Sequence, residues 1–165
     1  MSSTVRSWPS APWGALGETA FGRVSVARVD ELQRNLLRCL GSGTGEYFGV
    51  PEGRAILLAR LNSNTKGYSG VRVELLQQMV DFLNHGITPC IPVQGSVGAS
   101  GDLVPLSYLG ATLCGDREVW FRGRIMPAAE ALAECGLKPL TLRAKEGLGI
   151  VNGTSVMTGV AAINL

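Results

Sequence analysis

GSVGASGDLVPLSYL, residues 95–109, changes character within a few positions. Glycine and serine dominate its first half, which predicts a loop almost free of bulky side chains. From Leu103 the residues turn apolar at helical spacing, and Asp102 stands where an N-cap residue is expected. The sequence therefore predicts a tightly bent loop that leads directly into a helix.

The tripeptide Ala99-Ser100-Gly101 in this loop allows two interpretations. The simpler one is an ordinary turn, and the tripeptide taken alone favours it. The second is a backbone reaction, because Gly101 has no Cβ and its amide nitrogen can approach and attack the carbonyl carbon of Ala99. Loss of one water closes a five-membered ring, and loss of the Ser100 hydroxyl as a second water leaves an exocyclic methylidene. The product would be a strong electrophile made from the chain itself.

Helical periodicity extends through most of the chain on both sides of this loop, so the predicted fold class is mainly α. Residues 118–126 alternate around a glycine turn and predict a small β-hairpin. Residues 41–49 and 87–101 are interpreted as loops, and residues 145–153 as a glycine-rich turn. The predicted helices cover residues 29–40, 51–64, 71–86, 103–115, 127–136 and a stretch that begins near residue 154.

The ends of three helices carry recognisable signals. Asp30 is available to cap the first helix, and Thr154 or Ser155 to cap the last one. Gly86 is expected to end the helix over residues 71–86 in a left-handed conformation. His85 precedes it, where a solvent-facing side chain that complements the helix dipole is expected.

The composition of the chain limits the classes of function that it can serve. Of 165 residues, 45% are hydrophobic and 17% are charged, which is typical of a globular protein with an apolar core. The formal net charge is +2 and the basic residues are scattered, so no nucleic-acid partner is expected. No apolar stretch approaches the roughly 20 residues that span a bilayer. The N-terminus has no signal-peptide pattern, so a cytosolic location without a membrane partner is expected.

Spacing disfavours several familiar sites. The four cysteines lie far apart and only one histidine is present, so no metal centre is expected and the cysteines are predicted to be reduced and mostly half-buried. Neither glycine-rich stretch has the lysine of a P-loop. Gly147, Gly149 and Gly153 are spaced one residue too widely for a dinucleotide fingerprint.

The surroundings of the tripeptide change its interpretation. GSVGASGDLVPLSYL closely resembles the signature of the aromatic amino acid ammonia-lyases and 2,3-aminomutases, in which an Ala-Ser-Gly triplet forms a methylidene-imidazolone (MIO) group. Further stretches agree with the family in the same order, and the resemblance covers about residues 20–165. These stretches are LQRNLLRCL at 32–40, RLNSNTKGYSGVR at 60–72, LNHGITPCIPVQGSVGASGDL at 83–103 and KEGLGIVNGTSVMTG at 145–159. The resemblance implies a helical ammonia-lyase-like fold, with MIO and no metal or nucleotide as its prosthetic group.

The resemblance also implies roles for particular residues. Ala99, Ser100 and Gly101 would form MIO autocatalytically, and Asn152 would lie against the MIO ring and the substrate. Leu103 would line the substrate pocket. Interpreted without the resemblance, Asn152 is a turn residue that tolerates a left-handed backbone.

Cys39 and Leu40 match the pair that senses the substrate ring in the family. Histidine-specific members resemble Ser-His at this pair, and tyrosine-specific members tend to place a histidine before leucine. An apolar Cys-Leu pair leaves an imidazole or a phenol without a partner, which costs about 1–3 kcal/mol, so a phenyl ring is expected. The alternative is that both residues belong to the core face of their helix.

The implied activity is elimination of ammonia from an aromatic L-amino acid, phenylalanine-like by preference, to give an α,β-unsaturated acid. A tyrosine base removes the β-proton in the family, but Ala15 stands at the matching position and a shifted register offers only Trp13. Two alternatives stand beside the lyase. One is a 2,3-aminomutase that gives a β-amino acid, and the other is an inactive family member with an assembly or binding role.

These patterns divide the chain into two segments. Residues 1–22 are predicted to be irregular, and residues 23–165 to be the N-terminal, MIO-bearing part of an ammonia-lyase-like domain. The chain stops at GVAAINL within an apolar helical run, which is expected to need partners from further residues or other subunits. The resemblance implies a homotetramer whose active sites are shared between subunits.

Overall fold

A computed structural model describes residues 28–96 and 101–165. The predictions for residues 1–22, including Trp13 and Ala15, lie outside the described residues, as do those for Ala99 and Ser100. The predicted helical fold class is confirmed, and helices outweigh strands in the described part of the chain. The elements are α1 (Val29–Leu40), β1 (Thr44–Tyr47), α2 (Val50–Thr65), α3 (Val73–His85), β2 (Thr88–Pro89), β3 (Pro92–Gln94), α4 (Leu103–Leu113), β4 (Glu118–Phe121), β5 (Arg124–Pro127), α5 (Ala128–Glu134), α6 (Glu146–Val151) and α7 (Ser155–Ile163).

Helix α4 lies at the centre of the core, because every residue from Pro105 to Leu113 is buried. A helix that is apolar on all sides is stable in water only when other elements cover it. Helices α1 and α6 pack against it, and α2 packs closely against α7. Gly159 of α7 lies so near α2 that an added Cβ would stand 2.6 Å from the backbone nitrogen of Ile56. Leu103 is the first residue of this central helix.

The predicted hairpin over residues 118–126 is confirmed as β4 and β5, whose register pairs Val119 with Met126. Strand β2 adds to it through the pair Thr88 and Trp120 and completes a three-stranded sheet. Strand β1 pairs with β3 in a second, two-stranded sheet, in which Thr44 lies opposite Gln94.

The loop predictions for residues 41–49 and 87–101 are therefore wrong over β1, β2 and β3. These strands are two to four residues long and contain glycine or proline, so they carry no alternating pattern of their own. Each one is defined by pairing with a strand that is distant in the sequence, and a local pattern does not report such a partner.

Two helix starts differ from the prediction. Helix α1 has Arg28 at its N-cap position, and Asp30 lies within the first turn, where its carboxylate accepts a 2.9 Å bond from Arg143 instead of capping the helix. Residues 145–153 were expected to form a turn, but Glu146–Val151 is helical. The glycines lower its intrinsic helical propensity, so tertiary contacts decide its conformation.

Helix α3 ends as the sequence predicts. Gly86 adopts a left-handed conformation with φ 71°, and its amide closes the last turn. His85 is exposed, with Nδ1 2.8 Å from the carbonyl oxygen of Asp81. Within residues 28–96 and 101–165, no helix has the length and apolar character needed to cross a bilayer.

Candidate active site

Gly101 lies in direct backbone contact with Gly153. Its φ of +109° belongs to a region that favours glycine, and an added Cβ would stand 2.6 Å from the carbonyl oxygen of Gly153. The next residue continues the contact, because the amide of Asp102 donates to the same carbonyl oxygen at 2.7 Å. Backbone atoms therefore hold the end of the glycine-rich segment against the α6–α7 turn.

The Asp102 carboxylate connects three parts of the chain. It is only 3% exposed, and its Oδ1 accepts a 2.7 Å hydrogen bond from the Ser96 hydroxyl. Its Oδ2 accepts from the backbone amides of Val156 and Met157 at 2.9 and 3.3 Å. Ser96 and Asp102 stand on either side of positions 97–101, so this carboxylate holds both flanks of the glycine-rich segment at the N-terminus of α7.

The predicted cap roles are corrected by this arrangement. Asp102 occupies the N-cap position of α4 but makes no side-chain capping bond to that helix. Thr154 occupies the N-cap position of α7, also without a side-chain capping bond. Asp102 supplies the acceptor for α7 instead, where its negative charge is favoured by the helix dipole.

Asn152 follows α6 and precedes Gly153. Its backbone is extended, with φ −86° and ψ 103°, so the left-handed turn considered from the sequence is wrong. Its amide and its Nδ2 both donate to the Leu148 carbonyl oxygen, at 3.1 and 3.0 Å. The residue is exposed, and its neighbour in the chain is the glycine that touches Gly101. The structure thus brings Asn152 to the same region as Gly101.

The three predicted substrate contacts differ in burial. Leu103, at the start of α4, is partly buried and packs against the core. Leu40, the last residue of α1, is also partly buried, whereas Cys39 is exposed. The alternative that Cys39 and Leu40 both belong to the core is therefore wrong for Cys39.

The turn that follows Cys39 and Leu40 lies beside the start of the glycine-rich segment. An added Cβ on Gly95 would stand 3.3 Å from the Cα of Gly43, and Thr44 pairs with Gln94. The Tyr108 hydroxyl of α4 donates to the carbonyl oxygens of Gly41 and Gly43 at 3.2 and 3.1 Å. Residues 41–44 therefore connect the end of α1 to Gln94 and Gly95, where the glycine-rich segment begins.

The three tyrosines of the chain are all described, and each has a structural placement. The Tyr47 hydroxyl donates to Glu118 at 3.1 Å, and burial, followed by this carboxylate, raises the pKa of Tyr47. The Tyr108 hydroxyl donates to the turn after α1. Tyr68 lies between α2 and α3 and is 95% exposed. A raised pKa disfavours the phenolate that a base requires, and the Tyr47 hydroxyl is already engaged by Glu118.

Arg60 was missed by the sequence analysis. It is 2% exposed and its Nη2 donates to the carbonyl oxygen of Gly149 in α6, while its Nη1 occupies the space that a Cβ on Gly153 would need. Burial lowers the pKa of Arg60. A charged residue between Leu57 and Leu61 on the apolar face of α2 was the available signal in the sequence.

The start of α6 is fastened by a buried carboxylate that was also missed. Glu146 is 1% exposed and accepts hydrogen bonds from the Arg72 guanidinium at 2.8 and 2.9 Å and from the amides of Arg72 and Arg143 at 3.1 and 2.7 Å. Burial acts to raise the pKa of Glu146, but these donors outweigh it and hold the pKa below its ordinary value. The Gly147 amide donates to the buried Gln33 side chain at 3.0 Å.

The glycines of residues 147–153 are explained by these contacts. A Cβ on Gly147 would stand 2.9 Å from the Gln33 side-chain oxygen, and a Cβ on Gly149 would stand 2.6 Å from the Val71 side chain. Gly153 is restricted by Arg60. The spacing of these three glycines, which is one residue too wide for a dinucleotide fingerprint, follows from the close packing of α6 and the turn after it.

The cysteines are free thiols in different environments. Cys39 is exposed, Cys90 is buried, and Cys114 and Cys135 are intermediate, so the half-buried state predicted for most of them holds for two. Burial is the main cause that raises the pKa of Cys90 and of Cys114 to about 12. Groups of three or more histidine, cysteine, aspartate or glutamate side chains able to hold a metal ion are not found among the described residues.

Comparison with known proteins decides the family. The family model described as aromatic amino acid lyase matches residues 14–165, which include every residue of the site described above. The chain belongs to the aromatic amino acid lyase family. The lyase signature around the glycine-rich segment and the contact between Gly101 and Gly153 therefore lie in one family domain.

Individual relatives of this lyase-family chain carry different names. It is 48% identical over 150 residues to the histidine ammonia-lyase of Geobacillus kaustophilus, covering 88% of the chain and 30% of the relative. It is 48% identical over 147 residues to the MIO-dependent tyrosine 2,3-aminomutase of Streptomyces globisporus, covering 89% of the chain and 27% of the relative. The structure of Pantoea agglomerans phenylalanine aminomutase matches with a TM-score of 0.85 and 35% identity, covering 90% of the chain and 28% of that protein. The chain thus spans about 30% of the length of the curated relatives that it matches.

Proposed function

We propose that this protein is an MIO-dependent ammonia-lyase that eliminates ammonia from an aromatic L-amino acid to give an α,β-unsaturated acid. The observation that carries the proposal is the placement of Gly101, the last residue of the Ala-Ser-Gly triplet, against Gly153 beside Asn152. Membership of the aromatic amino acid lyase family supports the same chemistry.

The residues around Gly101 fit the prosthetic group. A Cβ at Gly101 would meet the Gly153 backbone at 2.6 Å, so only glycine suits the position that must supply the attacking amide nitrogen. The hydrogen bond from the Asp102 amide to Gly153 holds the residue that follows. When formed, MIO supplies an electrophile that accepts the substrate amino group and makes it a good leaving group.

Other residues of the chain position the segment and the substrate. Asp102 holds both flanks of the segment through Ser96 and the N-terminus of α7. The exposed carboxamide of Asn152 can donate or accept a hydrogen bond at the ring or the substrate, and its Nδ2 bond to Leu148 fixes its direction. Leu103 offers an apolar contact at the start of α4.

The proposal has a direct test in the intact chain. Intact mass spectrometry is expected to show the loss of two waters, and this loss is expected to be absent in Ser100→Ala. Incubation with L-phenylalanine, L-tyrosine and L-histidine is expected to release ammonia with the rise in absorbance of an unsaturated acid. An unshifted mass and no product would favour the inactive family member, in which Ala15 replaces the catalytic tyrosine, and would overturn the proposal.

A phenylalanine-like substrate is the proposed preference. Support comes from the apolar pair Cys39 and Leu40, which offers no strong partner for an imidazole or a phenol. Leu40→His is expected to shift the ratio of kcat/KM values toward histidine by about tenfold or more, since one satisfied buried hydrogen bond discriminates by this amount. Leu58→His places the same new side chain on exposed α2 and serves as the matched control.

A 2,3-aminomutase is the second candidate, because relatives with this activity in their names match nearly all of the chain. Chiral chromatography of the reaction mixture separates the two functions. A β-amino acid product would establish the mutase, and an unsaturated acid with stoichiometric ammonia would establish the lyase.

We also propose a cytosolic homo-oligomer, a tetramer in the family. Met157, Ile163 and Leu165 are exposed along and beyond α7, and such an apolar surface is suited to a protein partner. Sedimentation of the purified chain tests this assembly, and a monomer at all concentrations would contradict it.

A further inference from the structure

We propose that Arg60 is a positioning residue that holds the Asn152–Gly153 turn in the place where it supports Gly101 and Asp102. The inference rests on the proposed function, because the turn matters for catalysis only if residues 99–101 form MIO.

The placement of Arg60 is the first step of the argument. Its side chain reaches from α2 to α6, where Nη2 donates to the Gly149 carbonyl oxygen. Its Nη1 lies directly under Gly153, in the space that a Cβ on that residue would need. One buried side chain thus contacts Gly149 and Gly153, which lie on either side of Asn152 in the sequence.

The choice of an arginine has a physical reason. Helix α6 has six residues, so its last carbonyl oxygens have no partner within the helix. These oxygens form the negative end of the helix dipole, and a cation there is favoured. The carbonyl oxygen of Leu148 accepts a hydrogen bond from Asn152, and the carbonyl oxygen of Gly149 accepts one from Arg60.

The charge of Arg60 is balanced in an unusual way. Among residues 28–96 and 101–165, no carboxylate lies within ion-pair distance of its guanidinium, and its Nε is buried without a partner. A buried cation is costly when it is unpaired, so the backbone dipoles of the α6–α7 turn are its main source of stabilisation. The carbonyl groups of the turn therefore stabilise the buried guanidinium, and the guanidinium in turn supplies them with a hydrogen-bond donor.

The turn transmits this support to the proposed MIO segment. The Gly153 carbonyl oxygen accepts the Asp102 amide at 2.7 Å and packs against Gly101. If Arg60 is removed, Gly149 loses its donor, and Gly153 gains free space below its Cα. We expect the bond between Asp102 and Gly153 to open more often as a result.

The experiment follows two readouts in the intact chain. Hydrogen exchange at the Asp102 amide reports the bond to Gly153, and intact mass reports the rate at which two waters are lost during refolding. Arg60→Met is expected to speed hydrogen exchange at the Asp102 amide and to slow the loss of two waters, each by about tenfold or more. This is the effect of losing a hydrogen bond to a charged group. Arg60→Lys keeps a charged donor and is expected to recover part of each loss. Exchange at Leu109, inside buried α4, is expected to stay near the parent value.

A matched control separates positioning from general destabilisation. Gln78 is also buried and also donates to a backbone carbonyl oxygen, that of Lys138, at 3.1 Å. Gln78→Met is expected to leave Asp102 exchange and water loss unchanged. If Arg60→Met does not fold, Gly153→Ala decides, because its Cβ displaces the guanidinium from Gly153 and is expected to speed Asp102 exchange in the same way.

The outcomes distinguish this inference from the proposed function. A parent chain that never loses two waters overturns the proposed function, and the positioning role in MIO formation falls with it, whatever Asp102 exchange shows. A parent chain that forms MIO, with Arg60→Met equal to the parent in both readouts, overturns the role of Arg60 alone. Equal effects of Arg60→Met and Gln78→Met would also overturn it.

Discussion

The α6–α7 junction and the end of α1 both flank the glycine-rich segment, but they are built differently. At the junction, buried Gly101 and Asp102 meet the partly buried Gly153 through backbone atoms. At the end of α1, Cys39 is exposed and the following turn is held by side-chain donors, those of Tyr108 and Arg117. Backbone contact in a packed interior tolerates little displacement, whereas an exposed side chain can move aside.

This difference separates two requirements of the proposed enzyme. Formation of MIO requires a fixed backbone, and the junction provides it with glycines and buried hydrogen bonds. Recognition of the substrate ring is proposed for side chains at the end of α1, where Cys39 is exposed and Leu40 is partly buried. The predictions below compare matched changes in the two regions.

The largest difference is expected between two glycine substitutions. Gly101→Ala places a Cβ 2.6 Å from the Gly153 carbonyl oxygen at a φ of +109°, and we expect it to lower the free energy of unfolding by about 3 kcal/mol. In Gly41→Ala the new Cβ meets the guanidinium of exposed Arg117 and lies 3.4 Å from the Arg38 carbonyl oxygen. Arg117 can rotate away at the cost of its hydrogen bond to the Gly41 carbonyl oxygen, so the loss is expected to stay at about 1 kcal/mol. Urea unfolding of both variants measures the difference, and equal losses would contradict the comparison.

Removal of a carboxylate is expected to have the next largest effect. Asp102→Ala leaves the amides of Val156 and Met157 without their acceptor, which is expected to cost about 2–3 kcal/mol. Asp116→Ala breaks a partly exposed pair with Arg34 at 2.7 Å near α1 and is expected to cost at most about 1 kcal/mol. A larger loss at Asp116 in chemical unfolding would reverse the ranking of the two regions.

The pH dependence of stability is expected to depend on Glu146. Its folded-state pKa lies below the ordinary value of 4.5, so the unfolded chain takes up the proton first as pH falls. The stabilisation is therefore complete above pH 4.5 and is lost as pH falls through the folded-state pKa. We expect Glu146→Gln to cost about 2 kcal/mol at pH 7, because it weakens charge-assisted hydrogen bonds, and to flatten the acid limb of the stability curve.

The control for this prediction is Asp116→Asn. The hydrogen bond from Arg34 is the main cause that lowers the pKa of Asp116, but the carboxylate is partly exposed. We expect Asp116→Asn to change the acid limb of the stability curve less than Glu146→Gln does. A Glu146→Gln variant with the parent slope below pH 4.5 would show that Glu146 does not carry the dependence.

The smallest change in stability is expected at the end of α1. Cys39→Ser replaces an exposed side chain and is expected to alter the free energy of unfolding by no more than about 0.5 kcal/mol.

At pH 8, iodoacetamide is expected to label Cys39 well before Cys90 and Cys114, whose burial raises the pKa of each to about 12. Cinnamate is expected to slow labelling of Cys39 if this residue lines the substrate site. Prompt labelling of Cys90 in the folded chain would contradict its burial.

Local sequence signals were sufficient for several elements. The hairpin over residues 118–126 and the end of α3 at Gly86 were predicted correctly, because alternation and a C-terminal glycine act on neighbouring residues. Strands β1 and β3 were missed because each needs the other, across the intervening helices α2 and α3, to satisfy its hydrogen bonds. Helix α6 was missed because its glycines have low helical propensity and serve packing against Gln33 and Val71.

The candidate site shows the same division. The sequence signature predicted the triplet at residues 99–101, together with Asn152 and Leu103, and these remain predictions about function. The supporting residues Arg60 and Glu146 were not predicted, since Arg60 bonds to Gly149, 89 positions away, and Glu146 bonds to Arg72, 74 positions away. Asp102 was predicted to cap α4, and it does occupy the N-cap position of that helix. Its carboxylate accepts hydrogen bonds from α7 instead, which was missed because an N-cap pattern considers only residues that follow in sequence.

The sequence by itself determined where most helices form, which triplet is proposed to cyclise and which family the chain belongs to. These properties depend on side-chain size, periodicity and residue order, all of which are local. Only the tertiary structure decided that Asp102 serves α7, that Arg60 lies beneath Gly153 and that Cys39 faces solvent. The reason is that burial and long-range hydrogen bonds are set by the path of the whole chain, so the partner of a polar group cannot be read from its neighbours.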